Sequence, residues 1–171
     1  MIKVEKTKLD GVLLIKPDTF EDFRGSYTET YNLELYKQAG IIADFVQDDY
    51  STSKMNVLRG LHGDSDTWKL VDCMLGEIYF LVLNYDKKSA QFGLWQSFNL
   101  SEKNRWQVLV PPKFANGHLA LSDKIIFHYK QSTYYRANVQ FTVKYDDSRF
   151  NIDWPMKTPL LSERDKLSKA I

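Results

Sequence analysis

Three side chains that could act together on an anionic substrate lie close to one another in the sequence. Arg59 and His62 fall in a predicted strand, Val57 to His62, and Lys69 falls in the next, Trp68 to Leu75. We expect these two strands to be neighbours, with the three side chains facing one interior. Burying several cations is costly unless an anion neutralises them. The pattern therefore indicates a substrate that carries phosphate or that develops an enolate.

His62 is the candidate base among the three histidines of the chain. An imidazole can take a proton near neutral pH when a carboxylate fixes its tautomer and supports the imidazolium. Residue type alone favours a hydrogen-bonded strand histidine, but the neighbouring Arg59 and Lys69 favour catalysis. His118 and His128 have weaker surroundings, and from the residues alone we interpret both as structural.

The sequence predicts neither a metal centre nor a reactive thiol. Metal-binding β-barrels generally present two histidines one residue apart on a strand, and this sequence has no such pair. The single cysteine, Cys73, lies in an apolar run, so we predict that it is buried and inert. We therefore expect no metal in the site.

Composition and charge exclude several other classes of protein. Of the 171 residues, 43% are hydrophobic and 14% aromatic, which predicts one well-packed domain over residues 1–171. The 23 basic and 22 acidic residues leave a net charge of +1, which argues against nucleic acid as a partner. The sequence contains no signal-like segment and no apolar run of membrane-spanning length. We predict a cytoplasmic protein with no membrane partner.

Short strands separated by turns dominate the predicted secondary structure. Asn32 to Ala39 is the best helix candidate, because Asn32 can cap it and Gly40 follows as a stop. The charged block Phe20 to Gly25 is predicted to be a loop. Eight or more short strands at roughly ten-residue spacing are typical of an all-β sandwich or barrel. Besides the two strands above, the predicted strands are Val12 to Pro17, Ser26 to Thr30, Phe45 to Ser53, Glu77 to Leu83, Phe92 to Leu100, Trp106 to Val110, Phe114 to Leu121 and Lys124 to Lys130.

An ordered set of short motifs gives the sequence a resemblance to a known family over nearly its whole length. The motifs are Phe20-x-Asp22-x-Arg24-Gly25, Glu29, Gln47-Asp48-x-x-Ser51, Arg59-Gly60-Leu61-His62, Lys69, Gly76, Pro112-x-Phe114-Ala115, Tyr129-Lys130, Trp154-Pro155 and Leu161-Ser162-x-x-Asp165. In order and spacing they resemble the dTDP-4-dehydrorhamnose 3,5-epimerases. The resemblance implies an all-β, cupin-type jelly roll with a few short peripheral helices. It also implies a homodimer that needs no metal or organic cofactor.

The resemblance assigns catalytic roles to four residues. It implies that His62 is the base, Asp165 its orienting carboxylate, Tyr129 the acid on the opposite face of the sugar, and Lys69 the group that stabilises the enolate oxygen. A ketone at C4 acidifies the protons on C3 and C5, so one base can remove either of them. From the residues alone a different role is favoured for Asp165, since Ser162 and Asp165 have the spacing of a helix capping box.

Further residues are implied to bind the substrate. Arg59 and Arg24 match contacts to the diphosphate or the sugar, with Arg24 reaching across the dimer. Gln47 and Glu29 match positions on the nucleotide side, and Tyr135 matches a second tyrosine near the ligand.

Two departures from the family pattern lie near the implied sugar pocket. This chain has Asn116-Gly117-His118 where the family commonly has His-Gly-Phe, and Gly63-Asp64 where it has an aromatic residue and glutamine. We predict that Asn116 and His118 contact the substrate. Both departures resemble a branch that acts on GDP-linked 4-keto heptoses for capsule polysaccharides. The predicted substrate is therefore a GDP- or dTDP-linked 4-keto sugar.

Two other functions remain open from the sequence. A 3,4-ketoisomerase on the same scaffold would move the carbonyl by proton transfer on one face, with a pair of pocket histidines that could include His118. A non-catalytic sugar-binding jelly roll is the third candidate, and the joint presence of His62, Lys69, Tyr129 and Asp165 argues against it.

Overall fold

Thirteen strands and two short α-helices make up the part of the chain that the computed structural model describes, residues 1–167. In chain order these are β1 (Ile2–Lys6), β2 (Leu13–Pro17), β3 (Thr19–Asp22), β4 (Gly25–Thr28), α1 (Leu33–Gln38), β5 (Gln47–Lys54), β6 (Leu58–Gly63), β7 (Lys69–Leu75), β8 (Glu77–Asn84), β9 (Trp95–Ser101), β10 (Gln107–Val110), β11 (Phe114–Ala120), β12 (Lys124–Gln131), β13 (Phe141–Thr142) and α2 (Glu163–Leu167). Residues 168–171, the end of the predicted domain, lie outside this description. Neither helix is long and apolar enough to cross a bilayer.

The strands form two antiparallel sheets and one separate hairpin. The larger sheet has the order β1-β2-β10-β7-β12-β5, and the smaller has the order β13-β6-β11-β8-β9. Strands β3 and β4 pair only with each other. Strands distant in sequence, such as β7 and β12, are therefore neighbours in space, as in a jelly roll. The predicted all-β sandwich is confirmed.

An apolar core fills the space between the sheets and borders the pocket described below. Phe80 and Val82 of the smaller sheet meet Val71 and Phe127 of the larger sheet, and all four side chains are buried. Alternate residues of a strand point to the same face, so these side chains form one apolar layer between the two sheets. Val71 and Phe127 also line the pocket, so packing of the core fixes part of its wall.

Two further apolar clusters cover the outer faces of the sheets. Tyr36 and Ile41, in and just after α1, pack on Leu70 and Leu109 of the larger sheet. Trp154 and its neighbours in the C-terminal segment cover the smaller sheet. Helix α1 begins and ends as predicted, and the Asn32 side chain accepts a hydrogen bond from the backbone nitrogen of Leu35 at 3.1 Å.

The prediction of a loop at Phe20 to Gly25 is wrong. Residues 19–22 form strand β3, and Phe23 and Arg24 make a tight turn into β4. The backbone nitrogen of Arg24 donates to Asp22 Oδ1 at 2.8 Å, which stabilises that turn. Both faces of this hairpin are exposed, so the sequence carries no alternation of apolar and polar residues that would indicate strands. The half-buried edge strand β1 is likewise absent from the predicted strands, and β9 begins at Trp95 rather than at Phe92.

The prediction that the strands of His62 and Lys69 are neighbours is also wrong. Strand β6 belongs to the smaller sheet and β7 to the larger one, so the segment between them crosses from one sheet to the other. Close packing at the end of β6 requires glycine, because a Cβ on Gly63 would lie 2.3 Å from the carbonyl oxygen of Phe114. The two side chains therefore meet across the pocket from opposite sheets.

Candidate active site

A pocket of about 360 Å³ lies between the two sheets. Eight of the eleven predicted site residues line it: Arg59, His62, Lys69, Asn116, His118, Tyr129, Tyr135 and Asp165. The smaller sheet supplies Arg59, His62, Asn116 and His118 from β6 and β11, and the larger sheet supplies Lys69 and Tyr129 from β7 and β12. The fold thus places a candidate base and a candidate acid on opposite walls.

An irregularity in β6 brings both Arg59 and His62 to the pocket. Residues three apart on a regular strand point to opposite faces. Here His62 pairs with Asn116 and Arg59 pairs with His118, so β6 contains one residue more than β11 over this span. Such a bulge reverses the alternation. Gly60 accommodates it with a φ of +128°, and a Cβ there would lie 2.6 Å from the Cα of Gly117.

His62, which is half-buried, pairs with the buried Asp165 at the pocket wall. His62 Nε2 lies 2.6 Å from Asp165 Oδ1, and the Asp165 side chain is 3% exposed. Burial opposes ionisation of Asp165, but hydrogen bonds from His62 and Ser162 outweigh it and hold the pKa of this carboxyl below its usual range. An ionised carboxylate only accepts hydrogen bonds, so Nε2 carries the hydrogen. Nδ1 then keeps the lone pair that a base requires.

Asp165 also lies in the first turn of α2, where it contacts the capping residue Ser162 as its spacing in the sequence predicts. Its backbone nitrogen donates to Ser162 Oγ at 3.2 Å, and the same hydroxyl donates to Asp165 Oδ2 at 3.0 Å. One carboxylate oxygen therefore belongs to the helix start and the other to His62. This arrangement fixes the carboxylate before any substrate binds.

Lys69 is an ammonium group placed in a nearly dry environment. The residue is 9% exposed, and none of the ion pairs among residues 1–167 involves it. Burial lowers the pKa of Lys69, the charge of Arg164 lowers it further, and the carboxylate of Asp64 partly offsets both effects. A cation in such a position interacts strongly with any negative charge that develops beside it.

Tyr129 lies on the wall opposite His62, and its phenol is protonated. Burial raises the pKa of Tyr129, as do the nearby Asp49 carboxylate and Tyr135 hydroxyl, while Arg59 has the opposite effect. A neutral phenol can donate a proton or a hydrogen bond. Tyr129 is thus in the protonation state that a general acid needs.

The polar groups around His62 are held by specific partners. Arg59 donates to Ser53 Oγ at 2.9 Å and to the carbonyl oxygen of Thr52 at 3.1 Å. Asn116 Nδ2 donates to the carbonyl oxygen of His62 at 3.1 Å, which leaves the amide oxygen of Asn116 available. These contacts pre-orient the β6 wall.

His118 is neutral and fully buried beside the pocket. Its ring stacks on Phe127 with centroids 4.2 Å apart, and its Nε2 has no hydrogen-bond partner among the described residues. Burial lowers the pKa of His118 to about 3, with smaller contributions from Arg59 and His62. His118 therefore carries no charge at neutral pH.

The three remaining predicted residues do not line the pocket. Gln47 holds the rim instead, because its Oε1 accepts a hydrogen bond from the backbone nitrogen of Tyr135 at 2.7 Å. Glu29 accepts a hydrogen bond from Asn32 near α1. Arg24 lies at the tip of the β3–β4 hairpin, where it pairs with Asp22. Their predicted contacts with the nucleotide and the sugar stay predictions.

Comparison with known proteins identifies the family. The profile of the dTDP-4-dehydrorhamnose 3,5-epimerase family matches residues 6–171. The chain belongs to this family. It is 38% identical over 168 residues to the dTDP-4-dehydrorhamnose 3,5-epimerase of Shigella flexneri, covering 96% of this chain and 93% of the relative. The protein is therefore an isomerase of the nucleotide-sugar 3,5-epimerase type.

Solved structures of family members share the whole architecture. The dTDP-4-dehydrorhamnose 3,5-epimerase of Bacillus anthracis, crystallised with TDP and PPi, is 34% identical with a TM-score of 0.96, covering 100% of both chains. The dTDP-6-deoxy-D-glucose-3,5-epimerase of Legionella pneumophila, in complex with dTDP-4-keto-L-rhamnose, is 34% identical with a TM-score of 0.95, covering 99% of this chain and 93% of the other. The predicted cupin-type jelly roll is confirmed.

The epimerase pocket also contains polar residues that the sequence analysis missed. They are Gln131, Gln140 and Arg164. Gln131 could have been found, because it lies two residues after Tyr129 on the same strand face. Gln140 and Arg164 lie outside regular strands, where sequence periodicity gives no direction for a side chain. No three histidine, cysteine, aspartate or glutamate side chains within residues 1–167 are grouped as metal ligands.

Proposed function

We propose that this epimerase inverts C3, C5 or both in a nucleotide-diphosphate 4-keto sugar, through an enolate and without a cofactor. The observation that carries the proposal is the convergence of His62, Lys69 and Tyr129 on one pocket from two opposing sheets. Inversion requires a proton to leave from one face of a carbon and to return to the other. A base and an acid on opposite walls of the pocket can meet that requirement.

In the proposed first step, His62 Nδ1 removes the proton next to the ketone. The bonding electrons move toward the carbonyl oxygen and produce an enolate, while Asp165 supports the imidazolium through Nε2. Lys69 stabilises the negative oxygen more strongly than the neutral ketone, so it lowers the barrier rather than merely binding substrate.

In the proposed second step, Tyr129 gives its phenolic proton to the opposite face of the same carbon. The enolate electrons return to carbon and the ketone re-forms with inverted configuration. The imidazolium of His62 then loses its proton to solvent, and the phenolate of Tyr129 regains one. The raised pKa of Tyr129 is compatible with this role, because it keeps the phenol protonated until the more basic carbon of the enolate takes the proton.

The nucleotide and the sugar are the least constrained part of the proposal. The Legionella pneumophila relative holds a dTDP-linked sugar, which supports dTDP here. Asn116 and His118, by contrast, depart from the usual family residues and line the pocket, which supports the predicted GDP-linked 4-keto heptose of polysaccharide synthesis as the alternative. We therefore propose a 4-keto sugar linked to dTDP or to GDP, and the experiment below distinguishes them.

We further propose a homodimer in which Arg24 completes the partner's site. The β3–β4 hairpin exposes Phe20, Phe23 and Tyr27 by 64%, 97% and 66%, an unusual apolar surface for a monomer. Arg24 lies among these rings and away from its own pocket. A second copy of the chain that covered the rings would receive the guanidinium.

Co-expression of Arg24→Ala with His62→Asn chains tests the shared site. If Arg24 acts on the partner, mixed dimers regain one intact site, and activity recovers to about a quarter of the wild-type value. If Arg24 acts within its own chain, or if light scattering finds a monomer, mixing restores nothing and this part of the proposal fails.

The reaction is tested by incubating the protein in deuterated water with dTDP- and GDP-linked 4-keto sugars. NMR is expected to find deuterium at C3, C5 or both, with inversion at the labelled carbon for the preferred nucleotide. A product with the carbonyl at C3 would identify a 3,4-ketoisomerase instead. Binding of the sugar with no exchange at either carbon would identify a non-catalytic binding protein.

A further inference from the structure

Asp64 is a buried carboxylate that links a tight turn to the wall of the pocket. The residue is 4% exposed and lies in the segment that crosses from β6 to β7. Its Oδ1 accepts hydrogen bonds from the backbone nitrogens of Asp66 at 2.9 Å and Thr67 at 2.7 Å. Its Oδ2 accepts a hydrogen bond from Gln140 Nε2 at 2.8 Å. Oδ1 therefore stabilises the turn, whereas Oδ2 holds the Gln140 side chain.

The chemistry of Asp64 decides which way the Gln140 amide points. Burial opposes ionisation of Asp64, but the hydrogen bonds from Asp66, Thr67 and Gln140 hold its pKa below the usual range. An ionised carboxylate only accepts hydrogen bonds, so the nitrogen of the amide must face it. Gln140 also lines the pocket. The group that Gln140 can still offer to a ligand is its carbonyl oxygen, an acceptor.

We propose that Asp64 is a positioning residue that fixes the Gln140 carbonyl oxygen as an acceptor for a hydroxyl group of the sugar. This inference rests on the proposed function, since its ligand is the nucleotide sugar. A wall that presents an acceptor selects a sugar with a hydroxyl at that position, because an analogue without it leaves a buried acceptor unpaired. Asp64 acts on that hydroxyl group only through Gln140, and its charge separately raises the pKa of Lys69.

Asp64→Asn separates this role from the structural role of the turn. The introduced amide keeps an oxygen for the backbone nitrogens of Asp66 and Thr67, so the turn is retained. Its NH2 group then faces Gln140, whose amide must rotate to accept from it. The pocket thereby receives a donor in place of an acceptor. We expect KM for the 4-keto nucleotide sugar to rise about 10- to 100-fold, with kcat changed by about threefold or less at a pH where Lys69 stays protonated in both proteins.

A compensating variant tests the same geometry in the opposite direction. In Asp64→Asn/Gln140→Glu, one oxygen of the introduced carboxylate accepts from the introduced amide, and the other restores an acceptor to the pocket. We expect KM to return to within about threefold of the wild type. Gln140→Glu alone places two carboxylates in contact and is expected to bind the sugar more weakly than the double variant.

Thr133→Val is the matched control for disturbance of the turn. Thr133 Oγ1 lies 2.7 Å from Thr67 Oγ1, so it supports the same turn without contacting Asp64 or Gln140. This variant is expected to lower the melting temperature while leaving KM unchanged. Melting temperatures of all variants report separately on folding.

Calorimetric affinities keep this inference distinct from the proposed reaction. The probes are the dTDP- or GDP-linked 4-keto sugar that the wild type binds more tightly, and the matching free nucleotide. Asp64→Asn is expected to weaken binding of the nucleotide sugar and to leave binding of the free nucleotide unchanged. Failure of the wild type to exchange protons would contradict the proposed reaction but not the proposed role of Asp64. Equal affinities of wild type and Asp64→Asn for the sugar, no recovery in the double variant, or no binding of either sugar by the wild type would overturn the role of Asp64.

Discussion

Two histidines of this molecule each lie against carboxylates, but only His62 keeps a ring nitrogen available. His62 uses Nε2 to bond Asp165 at 2.6 Å, and its Nδ1 has no hydrogen-bond partner among the described residues. His128 lies on the outer face of the larger sheet, where Asp72 bonds Nδ1 at 3.2 Å and Asp48 bonds Nε2. A single carboxylate orients the His62 ring for the proposed role as base, whereas two carboxylates favour a protonated, structural His128.

The two carboxylates also explain the charge of His128. Burial opposes protonation of His128, but the hydrogen bonds and charges of Asp72 and Asp48 outweigh it and raise its pKa. The ring joins β7, β12 and the edge strand β5, so its proton contributes to holding the sheet together. Neither arrangement could be recognised from the histidine alone, since the partner carboxylates come from other parts of the chain.

The largest effect is expected from exchanging the carboxylate of the His62 pair. Asp165→Asn offers an amide NH2 to Nε2, so the ring hydrogen moves to Nδ1 and the base is lost. We expect kcat to fall about a thousandfold. Asp72→Asn is the matched change at His128 and is expected to alter kcat by about threefold or less. Comparable losses of kcat in the two variants would remove the functional distinction between the histidines.

A smaller loss is expected from removing the buried ammonium that faces the base. Lys69→Met deletes the group that we propose stabilises the enolate oxygen, and kcat is expected to fall about a hundredfold. Lys130→Met, which removes an ion pair with Asp48 on the outer face, is the control. An unchanged kcat in Lys69→Met would assign the enolate to another donor.

The pH profile of the wild type provides an independent test of Lys69. In the proposed mechanism its protonated form is the active one, so activity is expected to fall as pH rises through its folded-state pKa. Because burial lowers that pKa, the basic limb is expected below the value of about 10.4 for an exposed lysine. The same limb should be absent in Lys69→Met.

A moderate effect on stability, rather than on catalysis, is expected at His128. Its folded-state pKa is raised, so the stabilisation is fully present below the unfolded pKa of about 6.5 and is lost as pH rises through the folded value. His128→Gln leaves the buried Asp72 without its main partner and is expected to cost about 1–3 kcal/mol at pH 6. Urea unfolding should find a smaller difference at high pH. A cost that did not depend on pH would contradict the assignment of a structural cation.

The smallest effect is expected at His118, which has no carboxylate partner. His118→Phe keeps the stack on Phe127 and removes a buried nitrogen that has no partner, so the melting temperature is expected to rise by about 2–4 °C. If His118 contacts the sugar as predicted, KM rises in the same variant. An unchanged KM together with higher stability would make His118 a packing residue only.

The sequence was sufficient for the fold class and for most of the pocket. Asn32 and Gly40 bounded α1, and the ordered motifs gathered His62, Lys69, Tyr129 and Asp165, which the structure brings to one pocket. The sequence could not predict which sheet each strand joins, because pairs such as β7 with β12 depend on contacts between residues distant in sequence. The sequence also does not predict which face a residue takes after a bulge. Gly60 is the only local feature of the sequence that indicates the bulge in β6.

Polar contacts between distant segments could not be predicted from the residues alone, and only the family resemblance implied the pairing of His62 with Asp165. Asp64 was noted as a departure from the family pattern, but its hydrogen bond to Gln140 spans 76 residues and belongs to no periodic element. The exposed β3–β4 hairpin was missed for a related reason. Its strands bury neither face in the chain itself, so the usual alternation is not required.

Solvent deuterium exchange in two variants tests the central claim most directly. With His62 as the base and Tyr129 as the opposite-face acid, His62→Asn loses exchange at C3 and C5 by about a hundredfold or more. Tyr129→Phe keeps exchange but loses inversion, because proton removal does not need the phenol. Undiminished exchange in His62→Asn, or inversion at the wild-type rate in Tyr129→Phe, would contradict the account.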